Sequence, residues 1–357
     1  GAEGARGDQC DSCGSTLDAL ELINPKSKLS NATPERRASS HFFLKLSAFT
    51  ERLVEWVSGK EHWRANVRNF TLGMLREGLK DRAITRDLTW GVPIPLEGYD
   101  EKRIYVWFEA VIGYLSATIE WAERNGTPEA WHDFWTSEDA RTFHFIGKDN
   151  IPFHTVIWPA MLMGHGGLEL PYDVPANQYL TMGGTKASKS RGGVIWLPDY
   201  LERYDPDPLR YMMTANAPET SDSDFTWTEF VRRNNDELVA RWGNLVNRVL
   251  TITTRNFDGA VPAAPASLAP ESRALLERCD EAFEAVAADF DRVQLRRGLT
   301  AAMEVAQAAM PHSGNKATAI RATAFMRLPW RASRSIHRWT RGAGARASRR
   351  NCCRCRR

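Results

Sequence analysis

The sequence predicts an α/β protein: a doubly wound parallel sheet, followed by a bundle of helices. Three observations carry that expectation. Between residues 104 and 182, short runs of β-branched and aromatic residues alternate with amphipathic segments of helix length. Polar, glycine-containing stretches follow those runs, at the carboxyl ends of the strands where open α/β sheets bind ligands. Beyond residue 225 the apolar pattern settles to the helical period.

In chain order, residues 1–98 open on Cys10-Asp-Ser-Cys13 and then carry two helical stretches. Pro34-Glu-Arg-Arg begins a run reaching His41-Phe-Phe-Leu-Lys-Leu, and Ser47 is placed to cap an amphipathic segment over 48–57. A second helix is predicted over 63–77, with Gly78 ending it. Ile104-Tyr-Val-Trp-Phe is wholly apolar, the pattern of a strand buried on both faces of a parallel sheet, and 110–122 follows as a helix. Arg141-Thr-Phe-His-Phe-Ile-Gly147 repeats the arrangement, with Asp149 near the start of a helix over 151–163. Tyr179-Leu-Thr-Met is a third strand. Short helices are expected over 198–204 and 207–214, and a long helical region opens at Phe225. Ala264-Pro-Ala-Ser-Leu-Ala-Pro270 reads as a linker before two amphipathic helices over 271–309. No internal repeat is present.

A chain of 357 residues, 43% hydrophobic, is long and apolar enough for two or three packed units, which excludes a disordered protein. No apolar run has membrane-spanning length and the start lacks a signal-peptide layout, so a soluble cytoplasmic protein is expected. The six cysteines, Cys10, Cys13, Cys279, Cys352, Cys353 and Cys355, are not spaced as a secreted disulfide framework. The net charge of +3 averages two compositions: twelve arginines and Lys316 with no acid give the last 47 residues +13, which leaves −10 for the rest. Acid and helical period both stop after Ala309. A basic RNA-binding tail is one reading of 310–357, and an aberrant, unstructured chain end is the preferred one.

The stretch from Tyr179 to Gly193 carries the clearest chemistry. Gly183, Gly184, Gly192 and Gly193 allow sharp turns and close backbone approach, while Lys186 and Lys189 bring mobile positive charge. Such a loop suits a polyphosphate, although no G-x-x-x-x-G-K-[ST] pattern is present and an isolated Lys/Ser run is more often a solvated surface loop. Lys186-Ala-Ser-Lys-Ser190 resembles the KMSKS signature of class I aminoacyl-tRNA synthetases, with alanine in the methionine place. Three further stretches precede it in the order seen in methionyl-tRNA synthetases. They are Arg82-Ala-Ile-Thr-Arg-Asp-Leu-Thr-Trp-Gly-Val-Pro-Ile-Pro95, Tyr105-Val-Trp-Phe-Glu-Ala-Val-Ile-Gly-Tyr114 and His144-Phe-Ile-Gly-Lys-Asp-Asn-Ile-Pro-Phe-His-Thr-Val-Ile-Trp-Pro-Ala160. The resemblance extends over residues 4–309.

The resemblance implies ATP-dependent attachment of L-methionine to tRNA(Met) through a methionyl-adenylate, with ATP, Mg2+, methionine and the tRNA as partners and no membrane. It implies the second part of a Rossmann-like catalytic domain followed by an α-helical anticodon-binding bundle. The divisions would be the end of a connective insertion with half of a zinc knuckle (1–98), the second half of the catalytic domain (99–193), a stem-contact linker (194–228), the start of the helical domain (229–309) and the basic tail (310–357). By the same resemblance Lys189 stabilises charge on departing pyrophosphate, supported by Lys186 and Ser188, and Arg86 supports the geometry of the site. The plain alternative for Arg86 is an ion pair with Asp87. Gly147 and Asp149 would receive the ribose of ATP, or Asp149 would simply belong to a capped helix start. Trp107, Ala110, Val111, Tyr114, Asn150, His154 and Trp158 match the methionine pocket; without the resemblance both tryptophans read as core. Asn244 and Arg248, four apart on one helix face, match anticodon-reading positions. Cys10 and Cys13 are two of the four ligands that structural zinc takes, so tight zinc binding is not expected. The family's His-x-Gly-His segment has no counterpart here, and the chain alone is expected not to activate methionine. The competing readings are a ligase for leucine, valine or isoleucine, and a noncatalytic tRNA-binding fragment.

Overall fold

The computed structural model describes residues 22–27, 29–186, 194–260 and 267–311. The chain divides into two compact units, Gly1–Val174 and Pro175–Arg357.

In the first unit, β1 (Phe43–Leu44) pairs antiparallel with β2 (Arg82–Ala83), and α1 (Thr50–Ser58) packs on α2 (Ala65–Arg76) between them. The helices meet through Leu53, Val57, Val67, Leu72 and Leu75, all buried, as the helical spacing of these apolar residues requires. Gly78 ends α2 as expected: at φ +88° its N–H donates to the carbonyl of Leu75. Residues 33–42 form no regular structure; 33–40 are exposed throughout and offer no apolar face to bury. One expectation fails here. Ser47 is not a cap. It lies in a 3-10 turn, Leu46–Phe49, and its N–H and Oγ both donate to Asp81 Oδ1, at 3.1 and 2.7 Å.

Next come β3 (Thr85–Asp87) and β4 (Lys102–Ile104), an antiparallel pair with Arg86 opposite Arg103. The strand expected at Ile104-Tyr-Val-Trp-Phe ends at Ile104. Tyr105 is the last extended residue, and Val106–Glu109 is a turn of helix (α3) that runs through a 3-10 turn into α4 (Gly113–Arg124). Val106 and Trp107 are exposed, so this apolar run marks a surface wall rather than a buried strand. After α5 (His132–Trp135), the expected strand over 141–147 is regular only at β5 (Ile146–Gly147), with an isolated parallel bridge from Phe143 to Asp173. A 3-10 turn over Lys148–Asn150 and a π-helical turn over Phe153–Ile157 lead into α6 (Trp158–His165). Val111, Trp135, Trp158 and Leu162 form the core beneath.

The second unit has β6 (Ala176–Asn177) and a three-stranded sheet in the order β8-β7-β9, made of β7 (Leu180–Met182), β8 (Thr185–Lys186) and β9 (Ser223–Phe225). β7 and β9 pair in parallel, while β7 and β8 form an antiparallel hairpin. Its two turn residues, Gly183 and Gly184, have φ of +58° and +79°, the signs that a two-residue hairpin turn demands. The segment placed in a helical region at Phe225 begins instead with a strand. Helices α7 (Leu197–Leu201) and α8 (Pro206–Ala215) come between, and α9 (Trp227–Arg232) opens after Thr226, whose Oγ1 accepts from the N–H of Glu229 at 3.2 Å. A π-helical segment, Arg233–Gly243, continues into α10 (Asn244–Phe257), and α11 (Pro270–Asp291) and α12 (Leu295–Ala309) follow. Leu245, Val249, Leu275, Cys279, Val305, Ala306 and Ala309 make one core among these last three helices.

Candidate active site

The first unit contains a cleft of about 800 Å³ whose walls include Arg86, Tyr105, Trp107, Asp149, Asn150 and Phe153. Arg86 lies on β3, and neighbouring strand residues point to opposite faces, so it and Asp87 diverge. The expected alternative of an Arg86–Asp87 ion pair is not what forms. Arg86 stacks its guanidinium over the Tyr105 ring at 3.9 Å and donates from Nη1 to the carbonyls of Ala83 (3.1 Å) and Thr85 (2.8 Å). Asp87 instead accepts from Lys102 Nζ and Ser39 Oγ, each at 2.5 Å, and these bonds hold its carboxyl below the usual range.

Tyr114 and His154 form a polar pair in this unit. His154, only 5% exposed, has Nδ1 at 3.0 Å from the carbonyl of Asn150 and Nε2 at 2.8 Å from the Tyr114 hydroxyl. A carbonyl can only accept, so Nδ1 carries the proton, Nε2 accepts, and the Tyr114 O–H donates to it. Burial lowers the His154 pKa, partly offset by the Asn150 bond, and the imidazole is neutral. The Asn150 contribution is thus through its backbone, a role the side-chain resemblance did not reveal.

Sequence reasoning passed over two neighbours. His144 sets its ring 4.8 Å from Tyr114, edge-on, and 5.4 Å from His154. It is 6% exposed, its Nε2 has no hydrogen-bond partner, and burial followed by repulsion from His154 brings its pKa down to about 4. Phe153 stands 6.2 Å from the ring of Trp107, which is itself 55% exposed on the cleft wall. Only the register of Phe153 beside His154 hinted at the contact with Trp107; nothing in the sequence placed His144 against a residue 30 positions earlier.

The other pocket candidates separate. Ala110 is exposed at the start of the 3-10 turn. Val111 and Trp158 are buried in the core with Trp135, whose ring meets Trp158 edge-on at 5.9 Å. Gly147 is exposed at the end of β5, and a Cβ built there would meet nothing within 4 Å, so the backbone is open to close approach. Asp149 lies exposed in the turn after it, which carries no side-chain cap. In the second unit Lys186 closes β8, whereas Ser188 and Lys189 lie outside the described residues, as do Cys10, Cys13 and the tail from 312. Asn244 and Arg248 share a face of α10 beside the buried stripe of Leu245 and Val249, Asn244 half-buried and Arg248 exposed. Among the described residues no three His, Cys, Asp or Glu side chains cluster as metal ligands, and no helix is long and apolar enough to cross a membrane. The one cysteine described, Cys279, is buried in the helical core.

Known proteins give this geometry a context. A family model described as tRNA synthetases class I (M) matches residues 1–250. A methionine–tRNA ligase of Dehalococcoides mccartyi is 64% identical over 253 residues, which cover 71% of this chain and 46% of the relative. One from Chloroflexus aggregans is 53% identical over 325 residues, covering 86% of this chain and 54% of the relative. The Mycobacterium tuberculosis methionyl-tRNA synthetase in complex with methionyl-adenylate superposes with a TM-score of 0.73 at 25% identity, over 88% of this chain and 64% of that one. The chain spans about half the length of the curated relatives it matches. With a family match that takes in the cleft, the Tyr114–His154 pair and the lysine hairpin together, the chain belongs to the class I (M) tRNA synthetases.

Proposed function

We propose that this chain is part of a methionine–tRNA ligase, contributing its amino-acid pocket, its lysine loop and part of its tRNA contact. The observation that carries the reading is the neutral Tyr114–His154 pair, whose His154 follows directly on Phe153 of the cleft wall that Trp107 shares. An uncharged polar pair with aromatic edges gives no Coulombic advantage to a charged side chain, and it suits a polarizable thioether better than a plain aliphatic one. Ala110, Val111, Asn150 and Trp158 complete the pocket on this reading, with Val111 and Trp158 shaping it from the core side.

In the reaction, a carboxylate oxygen of methionine forms a bond to the α-phosphorus of ATP. The bond from that phosphorus to the bridging oxygen breaks, and pyrophosphate departs with the electron pair. Lys189, with Lys186 and Ser188, meets the charge that grows on the leaving group. Gly147 lets the backbone approach the ribose and Asp149 accepts its hydroxyl protons, while Arg86, fixed by two carbonyls and the Tyr105 ring, keeps the cleft wall in place. Mg2+ bound to the phosphates would spread their charge. A terminal ribose hydroxyl of the tRNA then attacks the acyl carbon and AMP leaves. Asn244 and Arg248 offer an amide for base edges and a planar cation for stacking, the means by which unpaired anticodon bases are read. Zinc at Cys10 and Cys13 would need two further ligands, and no step depends on it.

The test is methionine-dependent ATP–pyrophosphate exchange, with leucine, valine and isoleucine as controls. It is run on this chain and on this chain joined to the N-terminal part of the Dehalococcoides relative. Exchange with methionine alone is the expected result. Exchange with another aliphatic amino acid would reassign the substrate. No exchange in either protein, with tRNA binding retained, would leave a noncatalytic tRNA-binding protein.

A further inference from the structure

We infer that Asp224, on β9, is a positioning residue for adenylation: it fixes the hairpin that carries Lys186. The inference rests on the ligase reading above. Asp224 lies opposite Thr181 in the parallel ladder between β7 and β9. Its Oδ1 accepts from Thr181 Oγ1 at 2.5 Å and from the N–H of Gly184 at 2.9 Å. Its own carbonyl accepts from Asn216 Nδ2 at 2.8 Å, which anchors β9 to the end of α8. The N–H of Gly183 donates to the carbonyl of Phe225 at 3.2 Å. Both turn glycines of the hairpin are thus held by residues some forty positions away, not by the hairpin itself.

That arrangement matters because the hairpin is weak on its own terms. Its ladder has two residue pairs, Thr181 with Lys186 and Met182 with Thr185, and its turn is two glycines, the residues with the most backbone freedom to lose. A carboxylate accepting both a hydroxyl and the turn amide adds charge-assisted bonds at the one point where the strand direction reverses. Lys186 follows two residues after Gly184, so the angle of that turn sets where Lys186 stands at the end of β8. Asp224 acts through the backbone of the hairpin and is assigned no contact with substrate.

The experiment compares D224N, D224A, T181V, T181S and the double variant T181V/D224A in whichever protein of the preceding section exchanges pyrophosphate with methionine. A misplacement of about 1 Å in a group that meets transition-state charge lowers the rate about 100-fold. The expected result is a 10- to 100-fold lower rate at saturating ATP for D224A, with the KM for methionine and the affinity for tRNA each within about twofold. T181S keeps the hydroxyl and stays near the parent, and the double variant is no worse than D224A because both changes remove the same tie. The inference is overturned if D224A retains the parental rate. It is equally overturned if D224A loses rate only in proportion to folded protein lost on thermal melting. If the parent itself shows no exchange, the ligase reading falls and this inference with it.

Discussion

Replacing His144 by phenylalanine should change the acid sensitivity of the first unit by an amount that the structure fixes. The imidazole is buried, its pKa is about 4 against 6.5 for an unperturbed histidine, and burial is the larger cause. The folded pKa lies below the unfolded one, so the unfolded chain binds more protons between these values. Stability is therefore full above pH 6.5 and is lost as the pH falls toward 4. Linkage makes that loss about 2 kcal/mol by pH 5 and about 3 kcal/mol by pH 4. Phenylalanine has a ring of similar size, keeps the edge contact with Tyr114 and cannot titrate. It also removes the unpartnered Nε2, a buried polar atom whose desolvation costs about 1–3 kcal/mol. H144F should accordingly match or exceed the parent at pH 7.5 by about 1 kcal/mol, and lead it by about 3 kcal/mol at pH 5 once the linkage difference is added. Urea titrations from pH 7.5 to 4.5, read by hydrogen exchange of residues 151–162, follow the unit that holds His144. Parallel loss of stability in the two proteins would refute the reasoning, and so would a variant less stable than the parent at every pH.

Tyr114→Phe removes the donor to His154 Nε2 and leaves that buried atom unpaired, so the first unit should lose about 1–3 kcal/mol in urea titrations; on the ligase reading the KM for methionine in pyrophosphate exchange should rise about tenfold. Leu245→Ala empties a fully buried position where α10 meets α11 and α12, and chemical denaturation followed in α11 should show a loss of about 2–5 kcal/mol. Glu229 is held near pKa 2, chiefly by its bond to Arg232, against an ordinary value of 4.5. A depressed carboxyl contributes stability that is present above pH 4.5 and is lost toward pH 2, so Glu229→Gln should flatten the acid limb of hydrogen-exchange protection in residues 227–237.

The parts of this fold that could be read from sequence are those whose signal is local and repeated. The helices over 271–309 stand almost where the 3.6-residue period put them, at Pro270–Asp291 and Leu295–Ala309, and Gly78 ends α2 because only glycine takes its φ at no cost. The errors share a different cause. Ile104-Tyr-Val-Trp-Phe has too few residues for a period to show, and its apolar side chains serve a cleft wall instead of a sheet interior. Ser223-Asp-Phe225 is a strand only because β7 lies beside it, and no property of three residues could announce that. The same holds for the site. Tyr114 and His154 stood out as pocket positions of their motifs, whereas His144, which opens the same motif as His154, gained its place only through contacts made by folding.

These assignments divide the chemistry by charge. The first unit gathers two imidazoles and a phenol in one cluster and keeps both imidazoles neutral, because burial penalises the charged form of each. The second unit carries Lys186 on a glycine hairpin held by Asp224, whose carboxyl is kept below its ordinary range by bonds from Thr181 and Gly184. On the ligase reading, activation of an amino acid needs a side-chain pocket without charge. A cation in the side-chain pocket would compete for the carboxylate and the phosphates that must meet elsewhere, and would repel the substrate's own ammonium group. Protonating His144 would place such a cation beside the Tyr114 ring, within 4.8 Å between ring centres. Burial of His144 therefore does more than fill space: it keeps that imidazole uncharged down to a pH near 4, well below the point where an exposed histidine becomes a cation.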